Sequence, residues 1–277
     1  MDMVKLMKLF DKAFLTGCDE KTEWMLPWFL ENYSKWNNTP LIFANFGVSK
    51  DCLKAIKDKS KNNPIKHVVD MTKHKEKGWF KKPKSMLDAS ELSEYTCWID
   101  TDFEILSDMS SVFNYVEENR LGMVEDKPWS ARRGEVWHNS GIVAFKGTPL
   151  ILHQWVGLVR TKPSVGDQET LHEMLKEHPL QRMIYITSLP NEYNWLRIQL
   201  LDGQDSKKKK AIHWTGYKGK DKIRSLIEKI GNSSIAGFQR SIAKAPEGDP
   251  DLIYKVLPKE STQPYDSYLL MDLLLDK

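Results

Sequence analysis

The sequence predicts an α/β protein with a Rossmann-like, doubly wound and mostly parallel sheet flanked by helices. Short apolar, β-prone runs alternate with helical patterns, and their spacing suits strand–helix–strand units. Acidic residues follow these runs, at the edge where such sheets bind ligands. A chain of 277 residues, 40% of them hydrophobic, has room for one such core and a smaller part. We therefore expect a main domain over residues 1–230 and a small C-terminal extension over residues 231–277.

The first half of the chain gives the clearest alternation of strands and helices. Apolar runs predict strands at residues 12–19, 41–45, 66–70 and 95–99. Helical patterns between them fall at residues 22–36, 49–57 and 81–92. Ser49 is a good N-cap for the second of these helices.

The second half continues the pattern with less regularity. Strands are predicted at residues 121–125, 142–145 and 184–187, and helices at residues 108–118 and 149–159 and from Asp167 onward. Residues 126–137 are polar, turn-rich and aromatic, which favours a binding loop. Beyond about residue 232 the pattern weakens, and only residues 265–275 again indicate a helix.

Charge, apolar runs and cysteines exclude some classes of protein. The net charge of +3 gives no argument for nucleic acid, and the lysine run at residues 207–210 is interpreted as a solvated loop. No run approaches eighteen apolar residues, so we expect no membrane span. Cys18, Cys52 and Cys97 have no ligand spacing and are typical of small buried side chains in a reducing compartment. We therefore predict a cytoplasmic protein.

Asp100-Thr-Asp102 ends an apolar strand and is the first candidate site. Alternate side chains of an extended backbone lie on one face, so both carboxylates can face a single cation. Two hard oxygen donors suit Mg²⁺ or Mn²⁺. The alternative is a solvated turn, because Asp-x-Asp is a common sequence.

A series of short motifs follows one another between residues 12 and 222. They are Gly17-Cys-Asp19, Trp98-Ile-Asp-Thr-Asp102, His138-Asn-Ser-Gly141, Asp167-Gln168 and His213-Trp-Thr-Gly216. In this order they resemble the GT-A-fold glycosyltransferases, most closely the family 8 type that uses nucleotide-diphosphate sugars. The resemblance implies a GT-A fold for the main domain.

The resemblance also implies a metal site and a donor site. In that family the two aspartates and a late histidine bind Mn²⁺, which assigns Asp100, Asp102 and His213 as metal ligands. Imidazole is a fair ligand for Mn²⁺ and a poor one for Mg²⁺, although Mg²⁺ stays an alternative. Asp19 corresponds to an acid that meets the nucleobase, and its alternative is a simple turn cap.

Sugar-contacting and catalytic residues follow from the same resemblance. Asn139 corresponds to an asparagine on the donor sugar, and Asp126 to a sugar-binding acid, for which Glu125 is the alternative. Asp167 and Gln168 correspond to the Asp-Gln pair beside the reacting carbon. Asp167 could also serve as a helix N-cap.

The basic residues near the diphosphate are less well defined. Lys84, ahead of the fourth strand, is a candidate for one of them. The family's last motif is His-x-x-Gly-x-x-Lys, and here Gly216 matches whereas Gly219 occupies the place of the lysine. We expect Lys218 or Lys220 to reach the diphosphate instead.

The function implied by the resemblance is a Mn²⁺-dependent and retaining transfer of a hexose from a UDP-sugar to a glycan or other hydroxyl acceptor. One alternative is a metal-dependent phosphohydrolase or nucleotidyltransferase that uses the same aspartates. Another is a non-catalytic sugar- or nucleic-acid-binding protein, supported only by the lysine run and a tryptophan-rich loop. We expect no nucleic-acid partner.

Overall fold

A computed structural model of the protein describes residues 8–58, 63–176, 180–201 and 208–230. Its strands are β1 (Phe10–Cys18), β2 (Leu41–Asn45), β3 (Ile65–Asp70), β4 (Ser93–Ile99), β5 (Phe103–Ile105), β6 (Leu121–Glu125), β7 (His138–Lys146), β8 (Ile186–Ser188), β9 (Trp195–Leu196) and β10 (Ala211–His213). The predicted extension over residues 231–277, with its terminal helix, lies outside the described ranges.

The helices alternate with these strands through most of the chain. They are α1 (Leu26–Trp36), α2 (Lys50–Ile56), α3 (Lys82–Ser90), α4 (Lys127–Arg133), α5 (Leu150–Thr161), α6 (Asp167–Lys176), α7 (Gln181–Tyr185), α8 (Arg197–Leu201) and α9 (Gly216–Ile230). Ser49 caps α2 as predicted, because its hydroxyl accepts from the Cys52 amide at 3.2 Å. In the described part of the chain, none of the helices has the length and apolar composition needed to cross a bilayer.

A seven-stranded sheet with the order β3-β2-β1-β4-β7-β6-β8 forms the core. Neighbouring strands run parallel except at β7, which is antiparallel to both β4 and β6. A second sheet has three strands in the order β5-β10-β9, and its strand β5 directly follows β4 in the chain. The predicted mostly parallel α/β sheet is confirmed.

Helices cover both faces of the large sheet. Phe14 and Leu15, adjacent in β1, belong to different hydrophobic clusters because successive side chains of a strand point to opposite faces. Side chains of α1, α2 and α9 pack in the first cluster, and those of α3, α5 and α6 pack in the second. The doubly wound arrangement is thus also confirmed.

Two local predictions are wrong. Residues 127–133, within the predicted loop, form α4, because Asp126 caps this helix, Pro128 fits its first turn and Gly134 ends it with a φ of +65°. The helix predicted at residues 108–118 is only a 3₁₀ segment, Ser110–Tyr115. The predicted strand at residues 142–145 begins earlier, so the His138-Asn-Ser-Gly motif lies inside β7.

Candidate metal centre and active site

Asp100, Asp102 and His213 come together because two strands pair across the small sheet. Asp100 and Asp102 lie in the turn between β4 and β5, and β10 pairs with β5 so that His213 lies opposite Phe103. His213 Nε2 is 3.1 Å from Asp102 Oδ1 and 3.8 Å from Asp100 Oδ2. One ligand atom from each residue lies within 4.8 Å of the other two.

A chain of side-chain hydrogen bonds fixes the His213 ring. Asn139 Oδ1 accepts from the Gly141 amide at 2.9 Å, so the Asn139 amide nitrogen donates to Asp126 Oδ2 at 3.2 Å. Asn194 Nδ2 donates to the same Asn139 oxygen at 2.9 Å. The Asn194 oxygen therefore faces His213 Nδ1, at 3.1 Å.

This relay determines which nitrogen of His213 carries the proton. Asn194 Oδ1 can only accept a hydrogen bond, so Nδ1 of the neutral imidazole is the donor. Nε2 then presents its lone pair to the two aspartates. A histidine anchored through one nitrogen in this way is the usual arrangement for a metal ligand.

The donor set fits a divalent cation. Asp102 Oδ1 is buried and accepts no hydrogen bond from a described residue, although it lies against Nε2 of His213. Two lone pairs 3.1 Å apart repel each other unless a cation or a proton lies between them. Adjacent ligands of an octahedral ion about 2.1 Å away are about 3.0 Å apart, close to this separation.

Burial and charge act in opposite directions on the two carboxyl groups. Burial raises the pKa of Asp100, Lys82 lowers it, and the repulsion from Asp102 raises it again; the result lies above the ordinary value. Burial also raises the pKa of Asp102, but without a cation a proton on Nε2 of His213 would attract and hydrogen-bond this carboxylate, which outweighs burial and leaves that pKa below the ordinary value. The site thus concentrates negative charge that a cation would neutralise.

Gly141 allows the His213 ring to approach β7. A Cβ atom at this position would lie 2.3 Å from Cε1 of His213 and 2.8 Å from Oδ1 of Asn139. No side chain therefore fits between β7 and the imidazole, and the glycine of the His-Asn-Ser-Gly motif has a direct structural reason.

Lys82 is a buried cation that the sequence prediction missed. Its ammonium lies 3.3 Å from Asp100 Oδ1 and 3.0 Å from Asp167 Oδ2, and it donates to the carbonyl and hydroxyl oxygens of Ser140 at 3.2 and 3.1 Å. Burial lowers the pKa of Lys82, but the two carboxylates outweigh it and raise that pKa above its ordinary value. The predicted Lys84 instead pairs with Asp88 one turn along α3.

Asp167 and Gln168 lie on the other side of Lys82. Asp167 is the first residue of α6, and its carbonyl accepts from the Trp155 indole at 2.9 Å. Gln168 Oε1 accepts from the Ser140 amide at 2.9 Å. The structure therefore joins the Asp-Gln pair to the aspartate pair through Lys82 and β7.

Asp19, Gly216 and Lys220 are three further residues predicted to bind the donor. Asp19 follows β1, next to β4 in the sheet, and its Oδ1 accepts from the Lys21 and Thr22 amides, as a turn cap does. Gly216 begins α9 with a φ of +73°. The positive charge of Lys220, on the same helix, contributes to the lowered pKa of Asp102.

No known sequence family and no curated protein sequence matches this chain, whereas solved structures do. A galactosyltransferase, LgtC, in complex with donor and acceptor sugar analogues aligns with a TM-score of 0.57 at 10% identity, over 83% of this chain and 99% of LgtC. The glycosyltransferase GlyE of Streptococcus pneumoniae TIGR4 aligns with a TM-score of 0.54 at 14% identity, over 88% of this chain and 62% of GlyE.

The bifunctional glycosyltransferase WbbM aligns with a TM-score of 0.52 at 14% identity, over 88% of this chain and 53% of WbbM. This chain thus spans about half of WbbM and nearly all of LgtC. Identities this low establish the fold alone. The chain has the GT-A fold of these glycosyltransferases.

Proposed function

We propose that this chain is a metal-dependent glycosyltransferase that moves a hexose from a UDP-sugar to a hydroxyl group of a glycan or another acceptor. The observation that carries the proposal is the cluster of Asp100, Asp102 and His213, within 4.8 Å, just beyond the carboxyl end of β4. Ligands of α/β sheets bind at this edge. We place the catalytic domain within residues 1–230 and treat residues 231–277 as an extension of it.

Asp100, Asp102 and His213 would hold the cation. A divalent cation bound there supplies positive charge that offsets the charge developing on the departing diphosphate. The imidazole ligand favours Mn²⁺ over Mg²⁺. Lys220 adds a second positive charge on the Asp102 side, which makes it our candidate for the diphosphate contact.

The sugar would lie between Asp167, Gln168 and the start of β7. The Ser140 amide occupies Oε1 of Gln168, so the Gln168 amide nitrogen is the group left to donate towards the sugar. Lys82 holds the Asp167 carboxylate at 3.0 Å and keeps it beside that position. We propose a retaining reaction, in which the acceptor approaches from the side of the leaving group and the departing phosphate takes its proton.

Asp126 and Asn139 remain candidates for contacts with the donor sugar. Both are buried, and they bond to each other at the far end of the His213 relay. A sugar hydroxyl that replaced this mutual bond would keep both groups satisfied, because a hydroxyl both donates and accepts.

The test is a product analysis with UDP-hexoses and a panel of saccharide acceptors, with Mn²⁺ and with EDTA. We expect UDP and a glycosylated acceptor with Mn²⁺, and neither product in EDTA or with Asp102→Asn. Glu118→Gln is the matched control, because this exposed carboxylate pairs with Lys146 at the far end of β7. Full transfer in EDTA would contradict the metal site.

The same assay separates the alternatives. Release of phosphate or pyrophosphate in place of UDP would identify a phosphohydrolase or a nucleotidyltransferase. Nucleic-acid binding that weakens steeply with salt, without binding of UDP, would favour a binding protein. Two lysines of the run already contact this chain, since Lys209 lies over the Trp195 ring and Lys210 over the Tyr193 ring.

A further inference from the structure

The connection from β3 to α3 has two sides that differ in chemistry. Lys73, Lys75, Lys77 and Trp79 are exposed, whereas the residues that alternate with them from His74 to Phe80 are half-buried. Trp79 keeps 52% of its surface exposed. The outward side therefore carries three ammonium groups in a row and one indole ring.

Contacts of the inward residues fix this alternation. The Met71 amide donates to the Asn45 carbonyl at 3.0 Å at the start of the connection. Glu76 forms an ion pair with Arg160 of α5 in its middle. The Lys81 ammonium donates to the Phe46 carbonyl at 3.0 Å near its end. The exposed lysines are therefore held on one side, at a defined place.

Nearby acids do not neutralise the three lysines. Among the described residues, none of the three lysines has an ion-pair partner. The Glu76 side chain is 8% exposed and turned towards Arg160. The Asp70 carboxylate accepts from the amide and hydroxyl of Thr72, and these bonds lower its pKa more than the nearby charge of Lys73 does. The surface thus keeps a positive potential that attracts anions.

The Trp79 end of this surface lies close to the start of α6, which carries Asp167. The surface follows the carboxyl end of β3, at the sheet edge that carries Asp100 beyond β4. The Trp79 indole nitrogen is 3.8 Å from the place where a Cβ of Gly166 would lie, and Gly166 directly precedes Asp167. A ligand on Trp79 would therefore extend to the start of α6.

We propose that Lys73, Lys75, Lys77 and Trp79 form a binding surface for an anionic glycan, and that this glycan is the acceptor of the transfer. An exposed indole offers a flat apolar face to a sugar ring. The neighbouring lysine ammonium groups bind the sulfate, phosphate or carboxylate groups that an anionic glycan carries along its length. The acceptor role rests on the proposed function, whereas the binding of an anionic glycan does not.

The test measures binding of two fluorescent probes, a sulfated heparin hexasaccharide and uncharged maltohexaose, without UDP-sugar or metal. We expect the sulfated probe to bind more tightly, with an affinity that falls as salt rises. The triple variant Lys73→Gln, Lys75→Gln, Lys77→Gln should lose about ten-fold or more of this affinity. Trp79→Ala should lose affinity for the same probe with all the lysines present.

The matched control is the triple variant Lys12→Gln, Lys35→Gln, Lys66→Gln. It removes three exposed lysines near the amino ends of the strands, whereas the proposed surface follows a carboxyl end. It should stay within two-fold of the wild type. Equal binding of both probes, or unchanged affinity of the first triple variant, overturns the proposal. Tighter binding of phosphatidylglycerol vesicles or of a single-stranded DNA hexamer also overturns it, in favour of a membrane or nucleic-acid partner.

UDP-hexose binding with Mn²⁺, measured on the same variants, separates this proposal from the proposed function. Loss of sulfated-probe binding in the first triple variant, with unchanged UDP-hexose binding, supports the surface as a separate subsite. If the sulfated probe binds as expected but UDP-hexose binds neither the wild type nor any variant, the result contradicts the glycosyltransferase function and supports the glycan-binding surface.

Discussion

His213 Nδ1 lies 3.1 Å from Asn194 Oδ1, and this contact connects a candidate metal ligand to a buried relay. Asn194 in turn donates to Asn139, which donates to Asp126. Because each amide has one group that only accepts and one that only donates, the direction of the whole relay is fixed. Nε2 of His213 is thereby oriented towards the two aspartates before any cation binds.

Replacement of Asn194 by alanine should weaken metal binding without touching a ligand. We expect Mn²⁺ affinity to fall about ten-fold or more, since partners of metal-binding histidines contribute this much. Free Mn²⁺, measured by electron paramagnetic resonance during a titration, gives the affinity independently of activity. Asn194→Asp keeps an acceptor for the Nδ1 proton and should bind Mn²⁺ more tightly than the alanine variant.

Asn191→Ala provides the control, three residues earlier in the same loop. Unfolding by urea, followed by circular dichroism, should show that Asn194→Ala is destabilised by about 1–3 kcal/mol but still folded. Equal Mn²⁺ affinity of Asn194→Ala and the wild type would remove the relay from the account of this site.

The three candidate metal ligands could be named from the sequence because each belongs to a short motif next to a strand, in the order of the family that the chain resembles. Asp100 and Asp102 follow an apolar run, and His213 ends another. Asn194 has no such signal, since it follows a 3₁₀ turn and acts only through partners from distant parts of the chain. Long-range hydrogen bonds between single polar side chains leave no periodic trace in a sequence.

Lys82 should be more important for stability than Lys84, the lysine that the sequence analysis names as a candidate for the diphosphate contact. Removal of the Lys82 ammonium leaves the buried Asp167 and the half-buried Asp100 without this cation, which costs about 3 kcal/mol of unfolding free energy. Lys84→Met breaks a pair within one helix and should cost less than about 1 kcal/mol. Urea unfolding of Lys82→Met and Lys84→Met at pH 7 without metal makes the comparison, and the reverse ranking would contradict it.

Helical periodicity could have identified Lys82 from the sequence. Lys82, Met86 and Ala89 have the spacing of one helical face, and all three are buried, whereas Lys84 lies on another face. Sequence distance to the Asp pair does not distinguish them, but helical periodicity does. Local helix signals also predict α4, because Asp126 and Pro128 mark its start, although residues 126–137 read as a loop from their polar and aromatic composition.

Acid should destabilise the fold through two buried histidines, His138 and His172. Burial and the charge of Arg182 lower the pKa of His138 to about 4, and burial likewise lowers that of His172 to about 4. Both values lie below the value of about 6.5 in an unfolded chain, so their stabilisation is complete above pH 6.5 and is lost as pH falls towards 4. Each group should cost about 2 kcal/mol between pH 8 and pH 5.

His172→Phe isolates one of these contributions, because phenylalanine can keep the stacking on Trp137, whose ring centre lies 3.5 Å away. Urea unfolding at pH 8 and pH 5 should show a smaller loss for this variant than for the wild type. The exposed His153, changed to Gln, should leave the difference between the two pH values unchanged. An identical loss in His172→Phe and the wild type would contradict the assignment.

Gly219 stands where the family motif has a lysine, and its contacts explain why no side chain occurs there. A Cβ at Gly219 would lie 2.0 Å from the Trp214 carbonyl oxygen, so α9 packs against this backbone only without a side chain. Gly219→Ala should lower the free energy of unfolding by about 1–3 kcal/mol, and Gly219→Lys by at least as much, without gain of UDP affinity. Gly157→Ala is a control for which the opposite effect is expected. Gly157 is exposed in α5 and a Cβ there meets nothing within 4 Å, so this variant should stabilise the protein by about 0.5–1 kcal/mol. Urea unfolding of the three variants tests the assignment, and a stable Gly219→Lys variant with tighter UDP binding would show that α9 can adjust to restore the motif.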